Sequence, residues 1–153
     1  MFEDISFPDG KGYEDAYTTY KLLYKAERIV YINEVLYYWF DNKESYSSKK
    51  DKPKKLLFRE EAIKEQAMFY DDEEYHDVSN MAKAFYLNQM HLMLWQLDHD
   101  FIQNKETRNV RKYFQKQAKK YYHKYSFCLI KSDKDNVFEY LFPYKSAIIN
   151  KLH

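Results

Sequence analysis

Two adjacent carboxylates, Glu14 and Asp15, directly follow the segment Phe7-Pro8-Asp9-Gly10-Lys11-Gly12-Tyr13. Asp9-Gly10 is a turn signal and Lys11-Gly12 prolongs the loop, so both acids fall where a turn becomes a helix. Tyr13, Tyr17, Tyr20 and Tyr24 recur at helical spacing through and beyond the pair. Carboxylates in a first helical turn face unpaired backbone N–H groups, which favour their ionised form, and the loop ahead gives a substrate access. An ionised, accessible carboxylate suits a general base. The same pair also fits plain helix capping. Further along, Asn88, His91, Trp95 and His99 recur at helical spacing and line a shallow polar groove. Their spacing and number fall short of a zinc site, and no metal is assigned to them.

The elements that must position these groups follow from composition and periodicity. A chain of 153 residues is long enough to bury a core. Its 25 basic and 24 acidic residues leave a formal charge of +1, so no global field recruits nucleic acid. Lone Cys128 excludes an internal disulfide and, inside an apolar run, reads as core. The N-terminus lacks a signal-peptide pattern and no apolar stretch approaches membrane-spanning length, so a soluble, cytoplasmic protein is expected. Only 2 Gly and 3 Pro disfavour a turn-rich β protein, while 17 Tyr and 11 Phe supply large apolar surfaces with polar tips.

Residues 13–27 read as a helix, and 29–32 and 35–39 as short strands joined at Asn33-Glu34. A polar, basic connection follows, Ser45-Tyr46-Ser47-Ser48-Lys49-Lys50-Asp51-Lys52-Pro53-Lys54-Lys55, with Pro53 suited to the first turn of a new helix. Beyond it everything reads as helix. Leu56, Ile63, Ala67 and Tyr70 mark one stripe, and Asp77 can cap the next helix. That helix carries Val78, Met81, Ala82, Phe85, Leu92 and Met93 on one face, and Leu87, Met90, Leu94 and Leu97, continuing to Phe101, on a nearly opposite one. A helix apolar on two sides is expected at the centre. Another helix spans about 106–126, with Val110, Tyr113, Phe114, Ala118, Tyr121 and Tyr125 on its apolar face. Ser132 with Asp135 resembles a capping box, and Pro143 should bend or break the last stretch. The expected fold is mainly α: a helical bundle over 49–153, preceded over 1–48 by a short helix and a β-hairpin.

The loop reading F-P-D-G-K-G-Y-E-D, followed by a helix and then by Val30-Tyr31-Ile32-Asn33-Glu34-Val35-Leu36-Tyr37-Tyr38-Trp39, resembles bacterial family 2 glycosyltransferases of the inverting GT-A type. The resemblance covers about the first 48 residues, which would be the C-terminal remnant of a GT-A catalytic domain. It implies that Asp15 is the general base that deprotonates the acceptor hydroxyl, with Glu14 its neighbour. It also implies a nucleotide-sugar donor and a divalent metal, Mg or Mn, in the full enzyme, both held by an N-terminal nucleotide-binding half that this chain begins too late to contain. Two D-x-D triplets, Asp98-His99-Asp100 and Asp133-Lys134-Asp135, lie downstream of the acidic pair and read as solvated acids and caps rather than metal ligands. Where relatives carry basic residues after the aromatic run, this chain has Phe40-Asp41-Asn42-Lys43. Lys43 is then the substitute for contact with the leaving diphosphate, and Trp39 the candidate for sugar stacking; most of Tyr37, Tyr38 and Phe40 read as strand residues with core contacts.

Two basic clusters remain. Lys49, Lys50, Lys52, Lys54 and Lys55 form one; Lys116, Lys119, Lys120 and Lys124, interleaved with Tyr121, Tyr122 and Tyr125, form the other. Each reads either as a solvated face or as a contact with an anionic membrane at the inner face of the cell. Two functions are therefore expected. One is the C-terminal part of a transferase that moves a sugar to a saccharide or lipid-linked acceptor in cell-surface polysaccharide synthesis, inactive by itself. The other is a noncatalytic helical interaction module from a truncated transferase gene. The apolar hairpin, without its parent sheet, favours a homo-oligomer in both.

Overall fold

The computed structural model describes residues 4–40, 42, 45, 48–71, 76–131, 133, 134, 137 and 141. Among them are four α-helices, α1 (Glu14–Lys25), α2 (Lys55–Phe69), α3 (His76–His99) and α4 (Lys105–Tyr125), a 3₁₀ turn at Ser126–Cys128, and no strand. The mainly helical fold agrees with the periodicity. Lys43, the pair Ser132 and Asp135, and Pro143 lie outside the described residues.

α1 begins without a side-chain cap, and acids in its first turn face a lysine in its last, a polarity that suits the helix dipole. α2 is entered through i→i−3 turns, Lys55 N–H to Lys52 O, Leu56 N–H to Pro53 O and Leu57 N–H to Lys54 O, so Pro53 sits just before the helix rather than inside it. α4 has a conventional start: the Asn104 side chain accepts a 2.9 Å hydrogen bond from the Thr107 N–H.

α3 packs against both α2 and α4. Its central position follows from a broad buried face of Ala82, Tyr86, Leu87, Met90, Met93, Leu94 and Leu97, which meets Leu56, Ile63 and Ala67 of α2 and Val110, Phe114 and Ala118 of α4 in one apolar cluster. The two opposed faces of the sequence pattern are corrected here. Val78, Met81, Phe85 and Leu92 form an exposed strip, Met81 at 72 %, because α2 and α4 share a single wide face of α3. Polar clasps tie the helices at their flanks. Arg59 donates to Gln89 and Gln96, Arg111 donates to both oxygens of Asp98 at 2.5 and 3.0 Å, and Lys83 pairs with Asp71.

α1 docks on α2 through tyrosines whose rings are buried and whose hydroxyls reach carboxylates. The expected hairpin does not form. Residues 28–40 carry no regular secondary structure apart from a bend at Glu34, and Ile29, Val30, Tyr31, Ile32 and Val35 to Phe40 are all exposed, Tyr31 at 86 %. The physical reason is that a lone two-stranded hairpin is marginal in water, and none of the described residues offers a sheet edge on which its apolar face could pack.

Candidate functional site

The acidic pair sits on a tightly turned loop. Gly10 and Tyr13 are both left-handed, with φ of 71° and 60°. For a tyrosine this is a costly conformation, on the order of 1–3 kcal/mol, held in place by its surroundings. It turns the chain directly into α1, so that Glu14 lines a cavity of about 350 Å³ with Gly10, Lys11, Gly12 and Phe58. Asp15 follows with an exposed side chain, and its Oδ1 accepts a 2.8 Å hydrogen bond from the Ala16 N–H. The base candidate is thus in solvent at a helix N-terminus, next to the cavity-lining Glu14.

The loop is anchored to α2 by Lys11, whose Nζ meets Glu61 Oε1 at 2.7 Å, while the Tyr17 hydroxyl donates to Glu61 Oε2 at 3.0 Å. Glu61 is one of three carboxylates on α2 that receive tyrosine hydroxyls from neighbouring helices. Tyr20 donates to Glu65 at 3.0 Å, and Lys21 pairs with the same oxygen at 2.5 Å. Glu60, only 3 % exposed, accepts from Tyr86 at 2.7 Å and from Tyr113 at 3.2 Å. These phenols stay protonated far above neutrality. Burial, then the adjacent Glu60, pushes Tyr113 up to about 12, and Tyr17, Tyr20 and Tyr86 are raised further for the same two kinds of reason.

Two cavities open along this row. One of about 490 Å³ lies between α2 and α4, lined by Leu57, Glu60, Glu61, Lys64, Asn109, Val110 and Tyr113. Another of about 360 Å³ lies over α1 and α2, lined by Tyr20, Glu61, Lys64, Glu65, Met68 and Phe69. Sequence reasoning missed both. Its available signal was Glu60, Glu61 and Glu65 at i, i+1 and i+5, a spacing that looks like an ordinary solvated helix face.

The remaining expected site residues are not gathered here. Trp39 is 73 % exposed in the irregular segment and makes no ring contact with another described residue. Trp95 and His99 stack on each other at 4.5 Å, and His99 Nδ1 lies 2.8 Å from the Trp95 carbonyl. Asn88 donates to Asp133 at 3.0 Å, so three members of the expected polar strip, Asn88, Trp95 and His99, are engaged in structural contacts. Cys128 is half-buried rather than core, its thiol pushed up by that burial and directed at Asn80.

No family model, curated protein or solved structure matches this chain.

Asp98 has both oxygens on Arg111 and Asp133 accepts from Asn88, while Asp135 lies outside the described residues. Among the described residues no three His, Cys, Asp or Glu side chains converge as metal ligands would. No described helix is long and apolar enough to cross a membrane.

Acid should weaken this arrangement in two stages. Burial holds His91 below the ordinary imidazole value; the unfolded chain therefore takes the proton more readily, and stability falls as pH drops through about 6.5. The Lys83 and Lys11 ammoniums hold Asp71 and Glu61 below the ordinary carboxylate range. Their contribution is complete above a pH of about 4 and is lost as pH falls through the folded values. Urea titrations at stepped pH should show both declines, and Asp71→Asn should shrink only the lower one. A profile flat from pH 7 to 3 would contradict the assignment.

Proposed function

We propose that this chain is the acceptor-side, C-terminal part of an inverting, family 2-like glycosyltransferase, with Asp15 as its general base. The observation that carries the reading is residues 29–40. They follow directly from the acidic-pair helix, consist largely of β-branched and aromatic residues, and lie exposed without regular structure. Exposed apolar surface on that scale marks a contact site, and residues of this kind fit a pleated sheet. A nucleotide-binding α/β half supplying that sheet would bury them and bring a donor sugar to the acidic pair.

In the assembled enzyme an acceptor hydroxyl is deprotonated by Asp15 as its oxygen attacks the anomeric carbon. The bond to the nucleotide diphosphate breaks on the opposite face, inverting the centre, and the departing diphosphate carries away the electron pair. Glu14, lining the adjacent cavity, helps to orient the acceptor. The nucleotide sugar and its divalent metal are assigned to the nucleotide-binding half, as the resemblance implies. Trp39 stacks on a sugar and Lys43 approaches the diphosphate. The acceptor is a saccharide or lipid-linked saccharide. The exposed lysines of α4, with Lys120 and Lys124 set over the rings of Tyr121 and Tyr125, support a peripheral contact with the anionic inner face of the cell membrane.

A positioned base without a bound donor supplies only a modest share of catalysis. Calorimetry of this 153-residue chain against several nucleotide sugars with manganese is therefore expected to show no binding; micromolar affinity would place donor recognition here and sink the division of labour. Sequencing of the DNA upstream of Met1 tests the same point: a mononucleotide fold with an aspartate motif supports the transferase. The same exposed segment also fits a noncatalytic interaction module in which a second copy covers it. Sedimentation at high concentration should reveal self-association, and a strictly monomeric profile counts against that cover.

A further inference from the structure

We infer that the groove between α2 and α4, lined by Glu60, Glu61, Lys64, Asn109 and Tyr113, binds a neutral polyhydroxylated ligand, a short saccharide. This deepens the proposed function by placing the acceptor; it rests on that reading for the fate of the sugar but not for its binding.

The argument begins with Glu60. Its carboxylate is nearly sealed from water yet forms no ion pair among the described residues, and each oxygen is held by one tyrosine hydroxyl, from Tyr86 inside the core and from Tyr113 on α4. Sealed in this way, Glu60 fixes Tyr113 at the wall of the groove, and the acceptor a ligand can reach is the exposed carboxylate of Glu61. Glu61 beside it is fixed in the same way by Tyr17 and Lys11. These side chains are immobilised before any ligand arrives, which lowers the entropic cost of binding. Glu61 is paired with Lys11, which reaches it from the loop outside the groove, and Lys64 in the lining offsets the charge of Glu60, so the local charges sum to zero. The groove does offer acceptors on one wall, amide and ammonium donors from Asn109 and Lys64, and apolar surface from Leu57, Val110 and the Tyr113 ring. Alternating hydroxyl and C–H surface is what matches such a lining, and about 490 Å³ is within the size range of small-molecule sites.

Position adds a second argument. Glu61 and Lys64 also line the cavity over α1 and α2, and Lys11, held by Glu61, lines the cavity of Glu14. One carboxylate therefore links the groove to the acidic-pair loop. A saccharide bound along α2 would lie on the same face of the molecule as Glu14, within a continuous row of polar groups.

The test is a titration of the full chain, followed by amide NMR shifts, with lactose, maltose and cellobiose, and with spermidine and glucuronate as charged probes. At least one disaccharide is expected to give saturable shifts centred on residues 57–64 and 109–113, with affinity at least about tenfold above either charged probe. Glu61→Gln, which keeps an acceptor for the Tyr17 hydroxyl, and Asn109→Ala, both at exposed positions, should each weaken it at least about tenfold, with melting curves confirming that they fold. Met81→Ala, on the exposed strip of α3 away from the groove, should leave binding unchanged. Silence from all three disaccharides, preference for spermidine or glucuronate, or full affinity in both groove variants overturns the inference. Sugar binding together with a transferase indifferent to Asp15→Asn removes the catalytic reading alone.

Discussion

Asp15→Asn in the assembled transferase is expected to lower the turnover rate by about 10²- to 10⁴-fold, the usual share of a positioned general base. Donor affinity should stay within about twofold, because the proposal assigns the nucleotide sugar to another segment and the substitution is isosteric. The structure makes this a clean experiment. Asp15 is exposed, forms no ion pair among the described residues, and its one hydrogen bond is a local contact with the next residue's N–H that an asparagine oxygen can also accept. The variant should therefore fold as the parent does, so lost turnover reports chemistry rather than collapse. Glu14→Gln should be milder and should raise KM more than it lowers kcat, as the proposed role of this cavity-lining residue in orienting the acceptor requires. A rate unaffected by Asp15→Asn would leave the acidic pair as a helix cap and nothing more.

Phe114→Ala is expected to destabilise the chain by about 3–5 kcal/mol. The Phe114 ring is 0 % exposed, lies on the α4 face toward α3, and stands edge-on to Tyr113 at 5.6 Å. Removing it opens a cavity at the junction of α3 and α4, where the helical backbones cannot collapse without breaking the Arg111–Asp98 clasp. Set against a typical total of about 5–15 kcal/mol, a loss of that size leaves a marginal fold. Thermal and urea unfolding would measure it. Tyr113→Phe makes a useful contrast: it keeps the ring, deletes one of the two hydroxyls on Glu60, and should cost about 1 kcal/mol. A Phe114→Ala variant as stable as the parent would mean that α4 does not seal the core as described.

Several elements were legible before any coordinates. α1, α2 and α4 begin within about two residues of their expected starts, because the turn chemistry at Asp9-Gly10 and Pro53 and the apolar spacing from Val110 to Tyr125 are encoded in nearby residues. The central place of α3 was also legible, from apolar residues too numerous for a single narrow stripe. The details of its faces were not. Val78, Met81, Phe85 and Leu92 have the same hydropathy as their buried neighbours, and only the directions in which α2 and α4 arrive decide which of them are covered. The hairpin over 29–39 shows the opposite limit. Alternation of β-branched and aromatic residues reports suitability for a sheet, but a strand exists only when a partner edge is present, and no local pattern supplies one.

The amino-acid sequence alone therefore determined the helical character, the turn that precedes Glu14 and Asp15, and the break between α1 and α2, all of which depend on residues within a few positions of each other. Tertiary structure alone decided the rest. It set the tyrosine hydroxyls of Tyr17, Tyr20, Tyr86 and Tyr113 on carboxylates 26 to 53 positions away in the chain, and opened the groove beside them. Hydrogen bonds of that reach depend on how helices dock on one another, and docking is governed by the summed packing of whole faces rather than by any short run of residues.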